Sequence, residues 1–281
     1  MKNVFSKDFN GKVAVITGAG GVLCGCFAKY LAKAGAKVAL LNRTLASAQA
    51  IAQEIINDGG IAKAYACNVL DKNACISVAN QVYGDFGPCD FLINGAGGNN
   101  PTATTDKEYY SSADASEIKT FFDLEEEGVS TVFNLNFMGT FIPSQVFAKQ
   151  MTGRKGCSII NISSMSAFSP LTRTPAYSGA KSAISNFTQW LAVHFSKEGI
   201  RVNAIAPGFF STKQNEKLMW NEDGSPTARN LKVMNATPMG RFGKPEELLG
   251  ALHFLLDSPA SSFVTGIVLP VDGGFSAYSG V

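Results

Sequence analysis

Short apolar runs alternate with amphipathic helical segments along almost the whole chain. Seven runs have strand character, from KVAVITGAG at residues 12–20 to GIVLPVDGG at residues 266–274. Most of these runs are apolar without clean alternation, so we expect strands that are buried on both faces. Strands that alternate with helices form βαβ units, which build a parallel sheet covered by helices on both sides. The pattern therefore predicts an α/β fold with a doubly wound parallel sheet of about seven strands.

Length and composition limit the remaining choices. The chain has 281 residues, 46% of them hydrophobic, and we find no internal repeat or linker, so we expect a single domain over residues 1–281. A net charge of +2 without a basic stripe argues against a nucleic-acid partner. The start of the chain has no apolar leader, and no run reaches the roughly 18 apolar residues of a membrane span. Six cysteines without a CxxC pair, and only two histidines, argue against a metal site and favour the cytoplasm.

Two long segments interrupt the alternation of strands and helices. Residues 98–130 and 209–240 are polar, have little strand character, and follow predicted strands directly. Long irregular segments within a compact domain are commonly functional, and open α/β sheets bind ligands at the carboxyl edge of their strands. We therefore predict an insertion at 98–130 and a substrate loop or lid at 209–240.

A glycine-rich turn, within VITGAGGVLCG, separates the first predicted strand from the first predicted helix. Glycines let a phosphate approach the backbone, and the amino-terminal end of a helix attracts its negative charge. The second strand ends in Asn42 and Arg43, where an acidic residue usually binds the ribose hydroxyls of NAD or an arginine meets the 2′-phosphate of NADP. Because no acid is present, the sequence favours NADP(H) over NAD(H). The alternative is that Arg43 is a solvated turn residue.

Further cofactor candidates lie at the ends of the next predicted strands. Asn68 is placed where it could touch adenine, and NGAG at residues 94–97 leaves room for a ribose. The full set of candidate cofactor-binding residues is Gly18, Gly20, Gly21, Val22, Leu23, Asn42, Arg43, Asn68, Val69, Asn94, Ala96, Gly97, Tyr177, Lys181, Pro207, Gly208 and Thr212.

The stretch PAYSGAKSAISNF places a tyrosine and a lysine four residues apart among small residues. On a helix, Tyr177 and Lys181 would therefore point the same way. A phenol has a pKa of about 10, and a nearby ammonium group lowers that pKa. The pair is consequently a candidate proton donor and acceptor. The alternative is a surface tyrosine beside a solvated lysine.

Six motifs, in order, extend over nearly the whole chain. They are TGAGGVLCG (17–25), NGAG (94–97), NFMG (136–139), NISS (161–164), YSGAK (177–181) and PGFFST (207–212). Together with the spacing between Ser164 and Tyr177, they resemble the short-chain dehydrogenase/reductase family. The resemblance implies a Rossmann-type sheet and an NAD(P)-dependent oxidoreductase. It also implies a homodimer or homotetramer, with helices around residues 137–152 and 177–196 at the subunit contacts.

The same resemblance implies roles for four catalytic residues. Tyr177 passes a proton to or from the substrate oxygen, and Lys181 lowers the pKa of Tyr177 and holds the nicotinamide ribose. Ser164 forms a hydrogen bond with the substrate oxygen, and Asn136 anchors a water that links Lys181 to solvent. Such preorganised donors stabilise the alkoxide that forms when a hydride reaches a carbonyl.

The chain departs from the family pattern at the nucleotide-binding turn. The family usually has TGxxxGxG, whereas Val22 and Cys24 replace two of those glycines here. Gly95 stands where asparagine is common in the family, and Asn68 where aspartate is common. These departures affect the detailed shape of the pyrophosphate loop rather than the fold.

Other segments resemble one branch of the family, the D-mannonate oxidoreductases (fructuronate reductases). They include FNLNFMGT, NFTQWLAVHF and TPMGRFGKPEELLGAL. This resemblance implies a sugar-acid substrate, D-fructuronate or D-mannonate. The candidate substrate-binding residues are Asn99, Asn100, Ser166, Arg173 and Phe209, and Lys213, Gln214 and Asn215 offer further polar groups. Arg173 could hold the carboxylate as a fork, and a surface or interface arginine is an equal alternative.

Two other functions remain open on the sequence. One is a reductase for another carbonyl, such as a ketogluconate, a polyol-derived ketone or a 3-oxoacyl thioester. An acyl-carrier partner would favour a basic rim, whereas the insertion carries Glu125, Glu126 and Glu127. The other is a nucleotide-sensing protein without catalysis, which loss of Tyr177 or Lys181 would have favoured.

Overall fold

A seven-stranded sheet runs through the computed structural model, which describes residues 8–211 and 216–280. The strands are β1 Val13–Thr17, β2 Lys37–Asn42, β3 Ile61–Ala66, β4 Phe91–Asn94, β5 Ser158–Ile162, β6 Arg201–Pro207 and β7 Val268–Val271. They lie in the order β3-β2-β1-β4-β5-β6-β7, and every neighbouring pair is parallel. The predicted Rossmann-type α/β fold is thereby confirmed.

Helices cover both faces of this sheet. They are α1 Val22–Lys33, α2 Leu45–Asn57, α3 Lys72–Phe86, α4 Glu126–Phe133, α5 Gly139–Phe147, α6 Pro175–Phe195, α7 Glu216–Met219, α8 Ala228–Ala236, α9 Leu249–Leu256 and α10 Ser258–Ser261. Ala14 and Ile16 of β1 pack in a core with α1, α2 and α9. Val13 and Val15 pack in a second core with α3, α5 and α6. Successive side chains of a strand alternate between faces, so β1 contributes to both cores.

The uniform apolar character of the strands follows from their position in the sheet. Every residue of β1, β4, β5 and β6 is buried, as expected for strands covered on both faces. The edge strand β3 instead alternates between exposed and buried positions, and Ile61 is 51% exposed. The other edge strand, β7, is only partly buried.

A buried carboxylate fastens the amino-terminal end of the sheet. Asp90, just before β4, accepts hydrogen bonds from Val13 N at 2.9 Å, Lys12 Nζ at 3.1 Å and Arg154 Nη2 at 2.6 Å. Asp90 is only 4% exposed, so these donors compensate a charge that burial alone would penalise. The cluster ties β1 to β4 at the edge opposite the glycine-rich turn.

The two segments that interrupt the strand pattern follow β4 and β6, and they contain more helix than their sequences suggest. Segment 98–130 includes 3-10 turns at Pro101–Ala103 and Phe121–Asp123 and the start of α4. Segment 209–240 includes α7 and α8. Both therefore lie at the carboxyl edge of the sheet. Within residues 8–211 and 216–280, no helix is long and apolar enough to cross a membrane.

Candidate active site

A cavity of about 610 Å³ opens at the carboxyl edge of the sheet. Its walls come from the turns after β1, β2, β4, β5 and β6 and from the start of α6. The predicted site residues that line it are Gly18, Gly20, Gly21, Val22, Leu23, Asn42, Gly97, Ser164, Tyr177, Lys181, Pro207, Gly208 and Phe209. The structure therefore brings the glycine-rich turn and the tyrosine–lysine pair to one cavity.

The glycine-rich turn forms a close-fitting cradle at one end of the cavity. Gly18 has φ +65°, and a β-carbon there would lie 2.9 Å from the Ala96 Cα, so the backbones of the two turns nearly touch. Helix α1 follows with Gly21 at its N-cap, and no side chain caps it within the part of the chain that the structure describes. Its first turn also has no acidic residue. The free backbone N–H groups and the positive end of the helix dipole fit the pyrophosphate of a dinucleotide.

Two departures from the family pattern meet in this cradle. Cys24 is buried, and a β-carbon on Gly95 would overlap its Sγ. The Gly95 and Ala96 amides donate to Thr17 Oγ1 at 3.1 and 3.2 Å, which fixes the turn against β1. Burial raises the pKa of the Cys24 thiol to about 12. Cys24 thus fills space that a side chain at position 95 would otherwise need.

The tyrosine–lysine pair lies in the first turns of α6, which starts with Pro175 at its first position. Lys181 Nζ donates to Ile162 O at 2.8 Å and lies 5.5 Å from the centroid of the Tyr177 ring. Ser164, two residues beyond the end of β5, accepts from Ser166 N at 3.1 Å and donates to Met165 Sδ at 3.2 Å. The structure therefore gathers Ser164, Tyr177 and Lys181 around one wall of the cavity.

Burial has the largest effect on the electrostatics of this pair. It raises the pKa of Tyr177, and a hydrogen bond with Ser164 acts to lower that pKa. Burial also lowers the pKa of Lys181 to about 8. Desolvation is the largest influence on both pKa values, and the role of Lys181 in lowering the pKa of Tyr177 stays a prediction.

Asn136 lies in a π-helical turn, Asn134–Met138, between α4 and α5. Its fully buried Nδ2 donates to Val132 O at 2.8 Å and to Gly98 O at 2.7 Å. A β-carbon on Gly97 would lie 2.6 Å from Asn136 Oδ1 and 3.3 Å from Lys181 Nζ. Asn136 and Lys181 consequently flank Gly97, and position 97 cannot carry a side chain without displacing one of them. The water relay from Asn136 stays a prediction.

Several predicted cofactor residues do not line the cavity. The buried Nδ2 of Asn94 donates to Ser144 Oγ and Asn161 Oδ1, both at 2.9 Å. Its side chain therefore joins a polar network against α5 and β5. Asn68 is exposed and its Oδ1 accepts from Leu70 N at 3.2 Å, which closes the turn before α3. The other predicted residues absent from the cavity lining are Arg43, which is exposed, Val69, which is buried, and Ala96. Thr212 lies outside the described residues.

The predicted substrate residues are divided between different places. Phe209 lines the cavity, and its ring packs edge-on against Phe275 with centroids 5.4 Å apart. Asn99 donates to Thr104 Oγ1, Asn100 caps the 3-10 turn at Pro101–Ala103, and Ser166 is buried with an Oγ that has no partner among the described residues. Arg173 lines a second cavity. Lys213, Gln214 and Asn215 lie outside the described residues.

Other residues of the cavity were not identified from the sequence. They are Cys24, Ser47, Gly95, Gly98, Ile162, Ser163, Met165 and Leu171. Met165 and Leu171 lie between Ser164 and Tyr177 in the chain, and this position between two predicted catalytic residues is the sequence feature that could have identified them. Cys24 and Gly95 were visible only as departures from the family pattern.

The chain belongs to the short-chain dehydrogenase family. The profile of that family, described as short chain dehydrogenase, matches residues 12–223. Together with the cradle and the Ser164, Tyr177 and Lys181 cluster, this match defines an oxidoreductase that uses a nicotinamide cofactor and a small-molecule substrate.

Three relatives resemble the chain over nearly its full length. An oxidoreductase of uncharacterised activity from Haemophilus influenzae is 59% identical over 274 residues, which cover 98% of this chain and 96% of the relative. The uncharacterised oxidoreductase UxuB of Bacillus subtilis is 56% identical, with 98% of each chain covered. A Haemophilus crystal structure with bound NAD, provisionally assigned as a D-mannonate oxidoreductase, has 59% identity, a TM-score of 0.95 and 98% coverage of both chains.

Proposed function

We propose that the protein interconverts D-fructuronate and D-mannonate by hydride transfer with NAD(H). One observation carries the reaction class: Ser164, Tyr177 and Lys181 line the same cavity as the glycine-rich cradle. The substrate class is supported by the relative of known structure, which is 59% identical over 98% of the chain and provisionally assigned as a D-mannonate oxidoreductase.

The residues of the cavity suit proton transfer beside a hydride transfer. A nicotinamide, when bound, supplies or accepts the hydride. Ser164 donates a hydrogen bond to the carbonyl oxygen of the substrate, and Tyr177 gives its proton to the oxygen as negative charge develops there. In the reverse direction Tyr177 accepts the proton of the substrate hydroxyl. Lys181, with a pKa of about 8, can exchange a proton near neutral pH and so return one to Tyr177.

The choice of nicotinamide depends on the end of β2. Asn42 lines the cavity and its Nδ2 donates to Thr44 O at 2.9 Å, which leaves Oδ1 as an acceptor. An acceptor suits the 2′-hydroxyl of NAD, whereas the 2′-phosphate of NADP accepts hydrogen bonds and needs donors. Arg43, the residue for which the sequence favours NADP(H), is exposed and does not line the cavity. The relative with bound NAD supports the same choice.

The test is a nicotinamide absorbance assay with purified protein and D-fructuronate, with NADH and NADPH in parallel. We expect rapid oxidation of NADH and slower oxidation of NADPH. Arg43→Ala serves as the matched variant for the cofactor: it should leave the NADH rate unchanged. The choice of NAD(H) would be overturned if the unmodified protein oxidises NADPH faster than NADH and Arg43→Ala lowers kcat/KM for NADPH about tenfold or more, which is about 1.4 kcal/mol. No oxidation with either would discard the substrate, and a ketogluconate, a neutral ketose and a 3-oxoacyl thioester would be tried next.

We also propose that the protein is a homodimer or homotetramer. The support is an aromatic and apolar strip on α6, where Trp190 is 57% exposed and Val193 is 76% exposed. Trp190 stacks on Phe187 and His194 of the same helix. Sedimentation velocity of the purified protein, with Trp190→Glu as the comparison, measures the assembly, and a monomer at micromolar concentration would refute the proposal.

The proposed location is the cytoplasm. All six cysteines are free thiols in the structure, and five of them are buried. Free thiols suit a reducing compartment. Fractionation of cells that contain the tagged protein tests this location.

A further inference from the structure

A second cavity, of about 530 Å³, lies between the segment after β4 and helix α8. It is lined by Asp106, Lys107, Glu108, Tyr109, Ser111, Asp114, Arg173, Ala228, Arg229 and Lys232. Most of these side chains are charged, so the cavity is suited to a polar ligand. Arg173 and Arg229 enter it from different parts of the chain, one from the turn before α6 and the other from the first turn of α8.

Two segments of chain contribute residues both to this cavity and to the active-site cavity. Leu171 lines the active-site cavity and Arg173, two residues further on, lines the second one. The Leu171 amide donates to Ser178 Oγ at 3.2 Å, which ties this turn to the same helix that carries Tyr177. In the other wall, Phe209 lines the first cavity and Arg229, in the same 209–240 segment, lines the second.

The backbone of the insertion holds Arg173 in place. Arg173 Nε donates to Thr105 O at 2.8 Å, and Thr105 N donates to Arg173 O at 3.0 Å. Only the first of these bonds uses the guanidinium, through Nε, and among the described residues its two Nη groups remain available to another acceptor. A guanidinium fixed in this way can present a planar pair of donors to a carboxylate.

The acidic groups of the cavity already have partners. Asp114 forms an ion pair with Lys107, and Glu108 pairs with Lys232 at 2.7 Å. Asp106 accepts from the Lys119 amide at 2.7 Å. Among the side chains that the structure describes, no carboxylate lies within ion-pair distance of Arg173 or Arg229.

The two guanidinium groups therefore line one cavity without an ion-pair partner among the described residues. Burial lowers the pKa of Arg229, and repulsion from Arg173 lowers it further. Repulsion between like charges is relieved when an anion binds between them. A guanidinium fork binds a carboxylate or a phosphate through two parallel hydrogen bonds, and of these two anions the proposed substrate carries the carboxylate.

We propose that Arg173 and Arg229 together bind the carboxylate of the substrate and thereby select acids over neutral sugars. This inference rests on the proposed function, since it assumes a substrate that carries both a carboxylate and a carbonyl. In an open-chain hexuronate such as D-fructuronate these two groups lie toward opposite ends of the carbon chain. The proposal therefore requires that the open-chain substrate extend from the arginine pair to Tyr177 past Leu171, which lines the active-site cavity.

The experiment compares acid and neutral substrates in three variants. Arg229→Gln removes one guanidinium from the first turn of α8, and Arg173→Lys keeps the charge but removes the fork. Arg241→Gln is the matched control, because it removes an arginine that already pairs with Glu247 at 2.6 Å. A hydrogen bond to a charged group contributes about 1.5–3 kcal/mol, so kcat/KM for D-fructuronate should fall about 10- to 100-fold in Arg229→Gln, mainly through KM.

With D-fructose, which has no carboxylate, the same variants should keep their kcat/KM, and the KM for NADH should not change. Arg173→Lys should lose less activity toward the acid than Arg229→Gln. The inference fails, and the proposed function stands, if the unmodified protein reduces D-fructuronate and the kcat/KM of both variants stays within about twofold of the Arg241→Gln control. In that case the arginine pair does not bind the carboxylate.

Failure of the proposed substrate looks different. If the unmodified protein does not reduce D-fructuronate but reduces another sugar acid, loss of that activity in Arg229→Gln supports the arginine pair with a corrected substrate. If it reduces only neutral carbonyl compounds, both the proposed function and the inference are refuted. Calorimetric titration of D-mannonate into the protein with NADH provides a second readout, in which Arg229→Gln should weaken binding by a similar factor.

Discussion

Replacement of Gly95 by alanine should destabilise the protein only while Cys24 keeps its sulfur atom. A β-carbon at position 95 would overlap Cys24 Sγ, whereas the next nearest atoms are Thr17 O at 3.1 Å and Cys24 Cβ at 3.7 Å. Gly95 is not among the glycines with positive φ, so its backbone conformation is open to alanine. The clash with one sulfur is therefore the main obstacle, and Cys24→Ala removes it.

The magnitudes follow from these contacts. Overpacking in a buried site costs about 1–3 kcal/mol, which is the expected loss of stability for Gly95→Ala alone. Cys24→Ala alone should cost about 1 kcal/mol, because it removes one buried atom. In the Cys24→Ala background, Gly95→Ala should be neutral or stabilise by about 0.4–1 kcal/mol through the lower entropy of the unfolded chain. The two substitutions should thus show a favourable coupling of about 2 kcal/mol.

The assay is urea unfolding of the four proteins, followed by tryptophan fluorescence and circular dichroism at one fixed protein concentration. Fixed concentration is needed because any subunit association contributes to the apparent stability. Cys24 also lines the cavity. If its sulfur rotates away from the new methyl group and into the cavity, Gly95→Ala would weaken cofactor binding and lower stability less. A titration with NADH is therefore measured for the same four proteins.

Additive effects would refute this reasoning. If the free energies of unfolding and of NADH binding in the double variant equal the sums of the single changes within about 0.5 kcal/mol, Cys24 and Gly95 are independent. The pairing of cysteine at 24 with glycine at 95 would then have no steric explanation.

Three further predictions concern single groups. Tyr177→Phe should lower kcat by about 10²-fold or more with unchanged NADH affinity, and turnover within tenfold of the unmodified protein would exclude Tyr177 as the proton donor. The pKa of Lys181 is about 8 in the folded protein, against 10.5 normally. Between these two pH values the unfolded chain holds a proton that the folded protein has released, so stability rises with pH. This stabilisation is complete above the normal pKa and is lost as the pH falls through about 8. Relative to Lys181→Met, the protein should therefore gain up to about 3 kcal/mol between pH 7.5 and 10.5, and urea midpoints that keep a constant difference would contradict this. Asp90→Ala leaves Arg154 Nη2 and Val13 N without their acceptor and should cost about 2–4 kcal/mol; a loss below about 0.5 kcal/mol would show that the cluster is not stabilising.

The sequence predicts the sheet and much of the cavity for one physical reason. Parallel strands end at the same edge, so residues that follow predicted strands, such as Gly18, Ser164 and Gly208, must converge there. Helical spacing then places Tyr177 and Lys181 on one side of α6. The structure brings all five residues to the active-site cavity.

The features that the sequence does not reveal also have physical reasons. Asn94 ends a strand that is buried on both faces, and such a strand has no alternation that would reveal which face a side chain takes. The pKa of Tyr177 was judged from the neighbouring charge, whereas burial dominates it. Arg173 is positioned by Thr105, which is 68 residues away in the sequence, and no local pattern encodes that contact.

The strand order has a consequence for a chain that is synthesised from its amino terminus. β1 can pair with β2 once residues 37–42 have emerged, but its other edge pairs with β4 at Phe91–Asn94. All five residues of β1, VAVIT, are buried in the finished sheet. An unpaired apolar edge is a template for association with other chains. The nascent protein therefore carries an aggregation-prone edge while α2, β3 and α3 are being made, and chaperone protection matters most during that interval.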